Sequence, residues 1–143
     1  MRVILDVNIL LSALIKDSKT REILLKSGFD FYFPEPSVHK LRKYQKYIVE
    51  KSGMTEQAYQ YVLVTLFNFI KLIPTEDVKN RWKEAKEIME HVDPEDVIFI
   101  ACSLSLDNPI IWSDDKDFEK QNKVIVLKTK DIVDLFQMKE FPK

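Results

Sequence analysis

Three short runs in this chain are apolar at every position, and they constrain its fold more than any other feature. They are Val3-Ile4-Leu5, Ile110-Ile111-Trp112 and Val124-Ile125-Val126-Leu127. A fourth short run, Phe29 to Phe33, is dominated by aromatics and is closed by Pro34-Glu35-Pro36. A strand with one wet face alternates apolar and polar residues, whereas a strand covered on both faces does not. Runs of this length are therefore read as buried strands.

The segments between them carry helical spacing. Helices are expected from Asn8 to about Ile15 and from Thr20 to Lys26. A longer one is expected from Ser37 to Lys51, with Leu41, Tyr44 and Ile48 on its apolar face. Ala58, Val62, Leu66 and Phe69 predict a helix over Thr55–Leu72, and Val78, Trp82, Ala85 and Met89 another beyond Pro74. Two more are expected, from Pro94 to near Asp107-Asn108-Pro109 and from Asp131 to Met138. Buried strands separated by helices specify an α/β fold with a parallel sheet covered on both faces. Ligands of such sheets bind beyond the carboxyl ends of the strands. The chemistry should therefore follow Leu5 and Trp112, and aspartates follow both.

Bulk properties narrow the function. With 143 residues, 45% of them hydrophobic and 31% charged, residues 1–143 read as one globular domain. The net charge of −1 favours no partner class by itself. Cys102, the single cysteine, excludes an internal disulfide and a thiolate-rich zinc site, and its apolar surroundings mark it as core. Two glycines, Gly28 and Gly53, leave no glycine-rich phosphate loop. No apolar stretch is long enough for a bilayer and no leader pattern opens the chain, so the expectation is a cytoplasmic protein without membrane attachment.

Three groups of acids stand out: Asp6; Asp93 with Asp96; and Asp114, Asp115 and Asp117. Carboxylates gathered at one sheet end raise each other's pKa unless a cation sits among them. Oxygen-only ligands favour Mg2+ or Mn2+ over zinc. Such a cluster suits metal-assisted phosphodiester hydrolysis. Each acid also has a plainer reading. Asp93 with Pro94 and Asp96 forms a helix-start pattern, Asp6 and Asn8 suit a turn and an N-cap, and Asp114 and Asp117 suit a solvated loop.

These segments together resemble the PIN-domain family, which includes VapC-like toxin nucleases. The resemblance rests on Val3-Ile4-Leu5-Asp6-Val7-Asn8-Ile9-Leu10, on Asp93-Pro94-Glu95-Asp96-Val97 with Ile100-Ala101, and on Ile111-Trp112-Ser113-Asp114-Asp115-Lys116-Asp117-Phe118. It implies a three-layer α/β/α sandwich with a central parallel sheet and metal-dependent cleavage of RNA. It further implies that Asp6, Asp96 and Asp115 are catalytic, metal-binding acids, with Asp117 auxiliary and Asn8 and Ser113 orienting carboxylates by hydrogen bonds. The family's toxins imply an antitoxin partner.

One position departs from the family pattern. Where the family carries a glutamate before a Leu-x-Lys-Tyr-like stretch, Lys40 precedes Leu41-Arg42-Lys43-Tyr44. Two readings of Lys40 follow. Its ammonium pairs with Asp6 or Asp96 and stands in for a metal, or it turns outward to bind RNA phosphate. Glu35 is the nearby substitute acid. Arg42, Lys43 and Lys46 share a helical spacing with His39 and are the candidate RNA-phosphate contacts. Tyr44, Tyr47, Tyr59, Tyr61 and Phe67 are read as core or interface, His91 as a helix-end residue, and the aromatics of the Thr55–Met89 helical pair as either a homodimer surface or core.

Three functions remain open at this point. The first is a metal-dependent ribonuclease, including the toxin half of a toxin–antitoxin pair. The second is a catalytically weak or inactive PIN domain that binds RNA or a protein partner. The third is a haloacid-dehalogenase-type phosphatase, disfavoured because Asn8 stands where that chemistry needs a second aspartate.

Overall fold

A computed structural model of the chain describes residues 1–15, 18–89 and 93–140. His91 lies outside the described residues. Five parallel strands form one sheet in the order β3-β2-β1-β4-β5. They are β1 (Arg2–Leu5), β2 (Asp30–Pro34), β3 (Ile70–Ile73), β4 (Ile110–Trp112) and β5 (Val126–Leu127). The helices are α1 (Val7–Ile15), α2 (Lys19–Lys26), α3 (His39–Lys43), α4 (Gln45–Ser52), α5 (Glu56–Phe67), α6 (Thr75–Asn80), α7 (Trp82–Ile88), α8 (Pro94–Ser105) and α9 (Thr129–Glu140).

The central position of β1 explains its composition. Val3 pairs with Phe31 on one side and Ile110 on the other, and Val3, Ile4 and Leu5 are all fully buried. Against the sheet, α8 packs with α6 and α7 and touches β1, β2 and β4, while α1 packs on α2 and α4 and α9 on α2 and β5. The result is the three-layer α/β/α sandwich with a parallel sheet. Cys102 is fully buried in α8. Burial pushes its thiol pKa up, which suits a core residue and not a nucleophile.

Chain order reverses direction at β1: β2 and β3 are added on one side, β4 and β5 on the other. The crevice between the carboxyl ends of β1 and β4 is thus the switch point where open α/β sheets bind ligands. Asp6 follows one strand there and Ser113 the other.

Several expected elements are corrected. The helix expected over Thr55–Leu72 ends at Phe67, and Ile70–Ile73 forms β3, paired in parallel with Phe31–Pro34. An edge strand with Lys71 and Leu72 exposed lacks the all-apolar pattern that marks the central strands. Pairing with β2 therefore overrode a helical spacing that ran on through Phe69. The helix expected over Ser37–Lys51 is divided at Tyr44, whose φ of −96° and ψ of 0° lie in the bridge region. The one beyond Pro74 is divided at Arg81.

Candidate functional site

Asp6 begins the site. Leaving β1, the chain turns directly into α1, and the Asp6 carboxylate meets the unpaired amides of that helix start. Its Oδ1 accepts a hydrogen bond from the Ile9 amide at 2.8 Å. Its Oδ2 accepts one from the Ser113 hydroxyl. Ser113, itself buried, accepts in turn from the Asp115 amide at 3.1 Å. One hydroxyl therefore fixes the acid after β1 and the loop after β4 relative to each other. Asp6 is buried, and that burial raises its pKa to about 6 against the opposing pull of Ser113 and the Ile9 amide; Asp114 and Asp115 add repulsion.

The loop after β4 places two more acids. Asp115 caps the 3-10 turn Lys116–Lys120, its Oδ1 accepting from the Asp117 amide at 2.9 Å. Asp96 comes from the opposite side, on the first turn of α8, which Asp93 caps by accepting from the Glu95 amide at 2.9 Å. One carboxylate oxygen from each of Asp96, Asp115 and Asp117 lies within 4.8 Å of the others. Asp96 registers this crowding. Burial first, then the charges of Asp115, Asp117 and Asp93, raise its pKa to about 7.

The three oxygens fit a divalent cation. They are hard donors, close enough to share one ion, and their repulsion is relieved by positive charge. Asp6 lines the same cleft but lies outside that triplet, and each of its oxygens already accepts a hydrogen bond. The cleft encloses about 260 Å³ and holds Asn8, Lys40, Tyr44 and six carboxylates: Asp6, Asp93, Glu95, Asp96, Asp115 and Asp117. A groove of about 690 Å³ lies elsewhere, between α3 and α5. It contains no carboxylate, so size alone does not locate the chemistry.

Lys40 is the one cation lining the acidic cleft among the described residues. Its side chain is only 12% exposed, and its ammonium pairs with Glu95. Both expectations for it need correction: it does not turn outward, and its partner is neither Asp6 nor Asp96. Glu95 stands beside Asp96 in sequence, and only the folded chain, which brings Lys40 to the start of α8, reveals the pair. Glu35 does not replace the missing acid, because its Oε1 accepts from the amide and hydroxyl of Thr75 at 3.2 and 3.0 Å. Asp114 is not free in solvent either. It accepts from the Thr129 amide at 2.8 Å and hydroxyl at 2.6 Å, tying the loop to the start of α9.

Arg42, Lys43 and Lys46 are exposed, but the break at Tyr44 distributes them over α3 and α4, so they do not form one continuous helix face. His39 is committed locally, its Nδ1 2.9 Å from the Pro36 carbonyl oxygen. Tyr59 is core, donating to the Leu41 carbonyl at 3.0 Å, whereas Tyr44 and Tyr47 are exposed.

A family model described as PIN domain matches residues 4–133. The chain belongs to the PIN domain family. Among solved structures, it is similar to the crystal structure of VapBC2 from Rickettsia felis bound to a DNA fragment from their promoter. The match has a TM-score of 0.67 and 13% identity, and covers 90% of this chain and 98% of that one. At that identity the likeness speaks for the PIN fold alone. No curated protein matches the chain. No helix among the described residues is long and apolar enough to cross a membrane.

Proposed function

We propose that this PIN domain is a metal-dependent ribonuclease whose Asp96, Asp115 and Asp117 hold Mg2+ or Mn2+, with Asp6 completing the acidic wall. The observation that carries the reading is the convergence of three carboxylate oxygens within 4.8 Å, beside a fourth acid, at the switch point of the sheet. A divalent ion bound there would supply an activated water and neutralise charge on the phosphate. The chain's own residues do the positioning. Ser113 holds Asp6, the Asp117 amide holds Asp115, and the start of α8 presents Asp96. Asp6, Asp96 and Asp115 are the proposed catalytic acids. Arg42, Lys43 and Lys46, exposed on α3 and α4, are the proposed phosphate contacts.

We further propose a toxin role with an antitoxin partner, as the resemblance to the VapC-like members of the PIN domain family implies. The proposed place of action is the cytoplasm. Tyr61 and Phe69, 75% and 45% exposed, are the aromatics available for a homodimer surface.

A second reading is favoured by one observation, the Lys40–Glu95 pair inside the cleft. An ammonium there lowers the cleft's demand for metal and supports a weak nuclease that binds RNA or a protein without efficient cleavage. The deciding experiment incubates wild type and Asp115→Asn with single-stranded RNA in Mn2+ or EDTA. Cleavage that needs both the metal and Asp115 is expected. A folded wild type that leaves varied RNAs intact would move the assignment to the second reading.

A further inference from the structure

The acidic cleft does not end at the carboxylates. Asn8 lines it and also lines a second groove of about 590 Å³ between α1 and α4, so the two depressions adjoin at that residue. Tyr44 forms part of the wall of the first; Tyr47 and Lys51 form part of the wall of the second. Tyr44 begins α4, since its carbonyl accepts from the Ile48 amide at 2.9 Å. Positions 44, 47 and 51 therefore follow i, i+3, i+7 spacing and share one helix face. Three residues of helix advance about 4.5 Å, comparable with the step between neighbouring bases of a strand.

Both rings stand in the solvent, Tyr44 at 37% and Tyr47 at 54%. Exposed tyrosines contribute nothing to a core. Each is accompanied by an ammonium: Lys43 Nζ lies 5.5 Å from the Tyr44 ring centroid and Lys51 Nζ 5.4 Å from that of Tyr47. Lys51 also donates to the Tyr47 hydroxyl at 3.1 Å, which holds the ring in place before anything binds. The segment from His39 to Ser52 carries Lys40, Arg42, Lys43, Lys46 and Lys51 against Glu50 alone. Two exposed tyrosines, each with an ammonium beside it and next to an acidic cleft, match a polyanion whose flat bases are unpaired.

We infer that Tyr44 and Tyr47 are a stacking platform for the unpaired bases next to the scissile phosphate, with Lys43 and Lys51 on the adjoining phosphates. The two rings would be the physical basis on which this site prefers a single strand to a duplex. This deepens the nuclease reading and rests on it for the position of the scissile bond. Bases already stacked in a duplex cannot lie on the two rings without first unpairing. Stacking is indifferent to base identity, so the platform confers strand selectivity without sequence preference.

The test is binding of a short fluorescein-labelled RNA at low salt, followed by anisotropy, to protein carrying Asp115→Asn so that the strand stays intact. Tyr47→Ala and Tyr44→Ala are each expected to weaken binding about tenfold. Tyr47→Phe, which keeps the stacking face, is expected to stay within about twofold of the parent. The same sequence annealed to its complement is expected to bind more weakly than the single strand. Unchanged binding by both alanine variants would overturn the platform, as would a Phe variant as weak as the Ala variant, or tighter binding of the duplex. A wild type that binds single strands through these tyrosines yet cleaves nothing would sink the nuclease reading and leave the platform standing.

Discussion

Replacing Asp96 with Asn should make the metal-free protein more stable and the metal-loaded protein less so. The folded-state pKa of Asp96 is about 7, against 3.8 when its surroundings are removed. Between those values the folded chain binds the proton more tightly than the unfolded one, so stability falls as pH rises through the window. The loss is complete above pH 7 and absent below about pH 4. At 1.36 kcal/mol per pH unit the interval sets an upper bound of about 4 kcal/mol. Asp96 is half-buried, so water screens part of this and about 2 kcal/mol is the working figure. Its place on the first turn of α8 works the other way, because the helix dipole favours a negative charge there by about 0.3–1 kcal/mol. A net gain of about 1–2 kcal/mol remains for Asn, whose amide carries no charge.

Thermal unfolding in EDTA at pH 8 should therefore place Asp96→Asn about 3–8 °C above wild type, taking about 3–4 °C per kcal/mol for a chain of this size. At pH 4, where Asp96 is protonated in the folded protein and close to its own midpoint in the unfolded chain, the two should nearly coincide. Mn2+ at a hundredfold excess over its dissociation constant should raise the wild type by about 2.7 kcal/mol. The variant, missing one of the three converging oxygens, should respond much less. The two melting orders thus cross on adding metal. An Asn variant that melts lower than wild type in EDTA at pH 8 would refute the reasoning, and would mean that Asp96 serves the helix start more than a cation.

Two other substitutions probe the same cleft. Lys40→Glu replaces the cleft's ammonium with a carboxylate and strands Glu95, so it should lower the melting temperature in EDTA and tighten Mn2+ binding about tenfold or more. Calorimetric titration with Mn2+ checks this, and an unchanged affinity would show that Lys40 does not oppose the metal. Ser113→Ala removes a buried donor from Asp6 and an acceptor from the Asp115 amide. It should cost about 1–3 kcal/mol in urea unfolding at pH 8 and less at pH 5, where Asp6 is protonated; equal losses at both pH values would count against Ser113 acting on a charged Asp6.

The sheet's centre was readable because Val3–Leu5 of β1 and Ile110–Trp112 of β4 are covered on both faces and so lack polar residues. Knowing where they end was enough to expect Asp6 and Asp115 together. β3 was not readable: Lys71 and Leu72 face solvent on an edge strand, and Phe69 extends the preceding helical spacing. The division at Tyr44 is equally silent, since neither glycine nor proline marks it. It matters because it replaces one cationic helix face with two short helices and stands Tyr44 up at the cleft. Asp93 and Asp96 show the limits of spacing differently. Their pattern suits both capping and chemistry, and the structure divides the tasks: Asp93 accepts the helix amide, and Asp96 faces the other acids.

Lys40 decides how much weight the weak-nuclease reading carries. An ammonium paired with Asp96 would lower that acid's pKa, yet it is raised, and the neighbouring charges responsible are Asp115, Asp117 and Asp93. Lys40 is instead matched by Glu95, which lies outside the converging triplet. The pair therefore contributes little net charge to the cleft. Of the triplet, only Asp117 meets an ammonium among the described residues, that of Lys120 at 3.2 Å, so the cluster stays net anionic and still favours a cation. A lysine that had abolished metal binding would sit among those three oxygens; this one is held to the side by an acid one residue away from them. The arrangement supports a site that takes its metal on Asp96, Asp115 and Asp117, with Lys40 and Glu95 together forming a neutral flank instead of a second metal position.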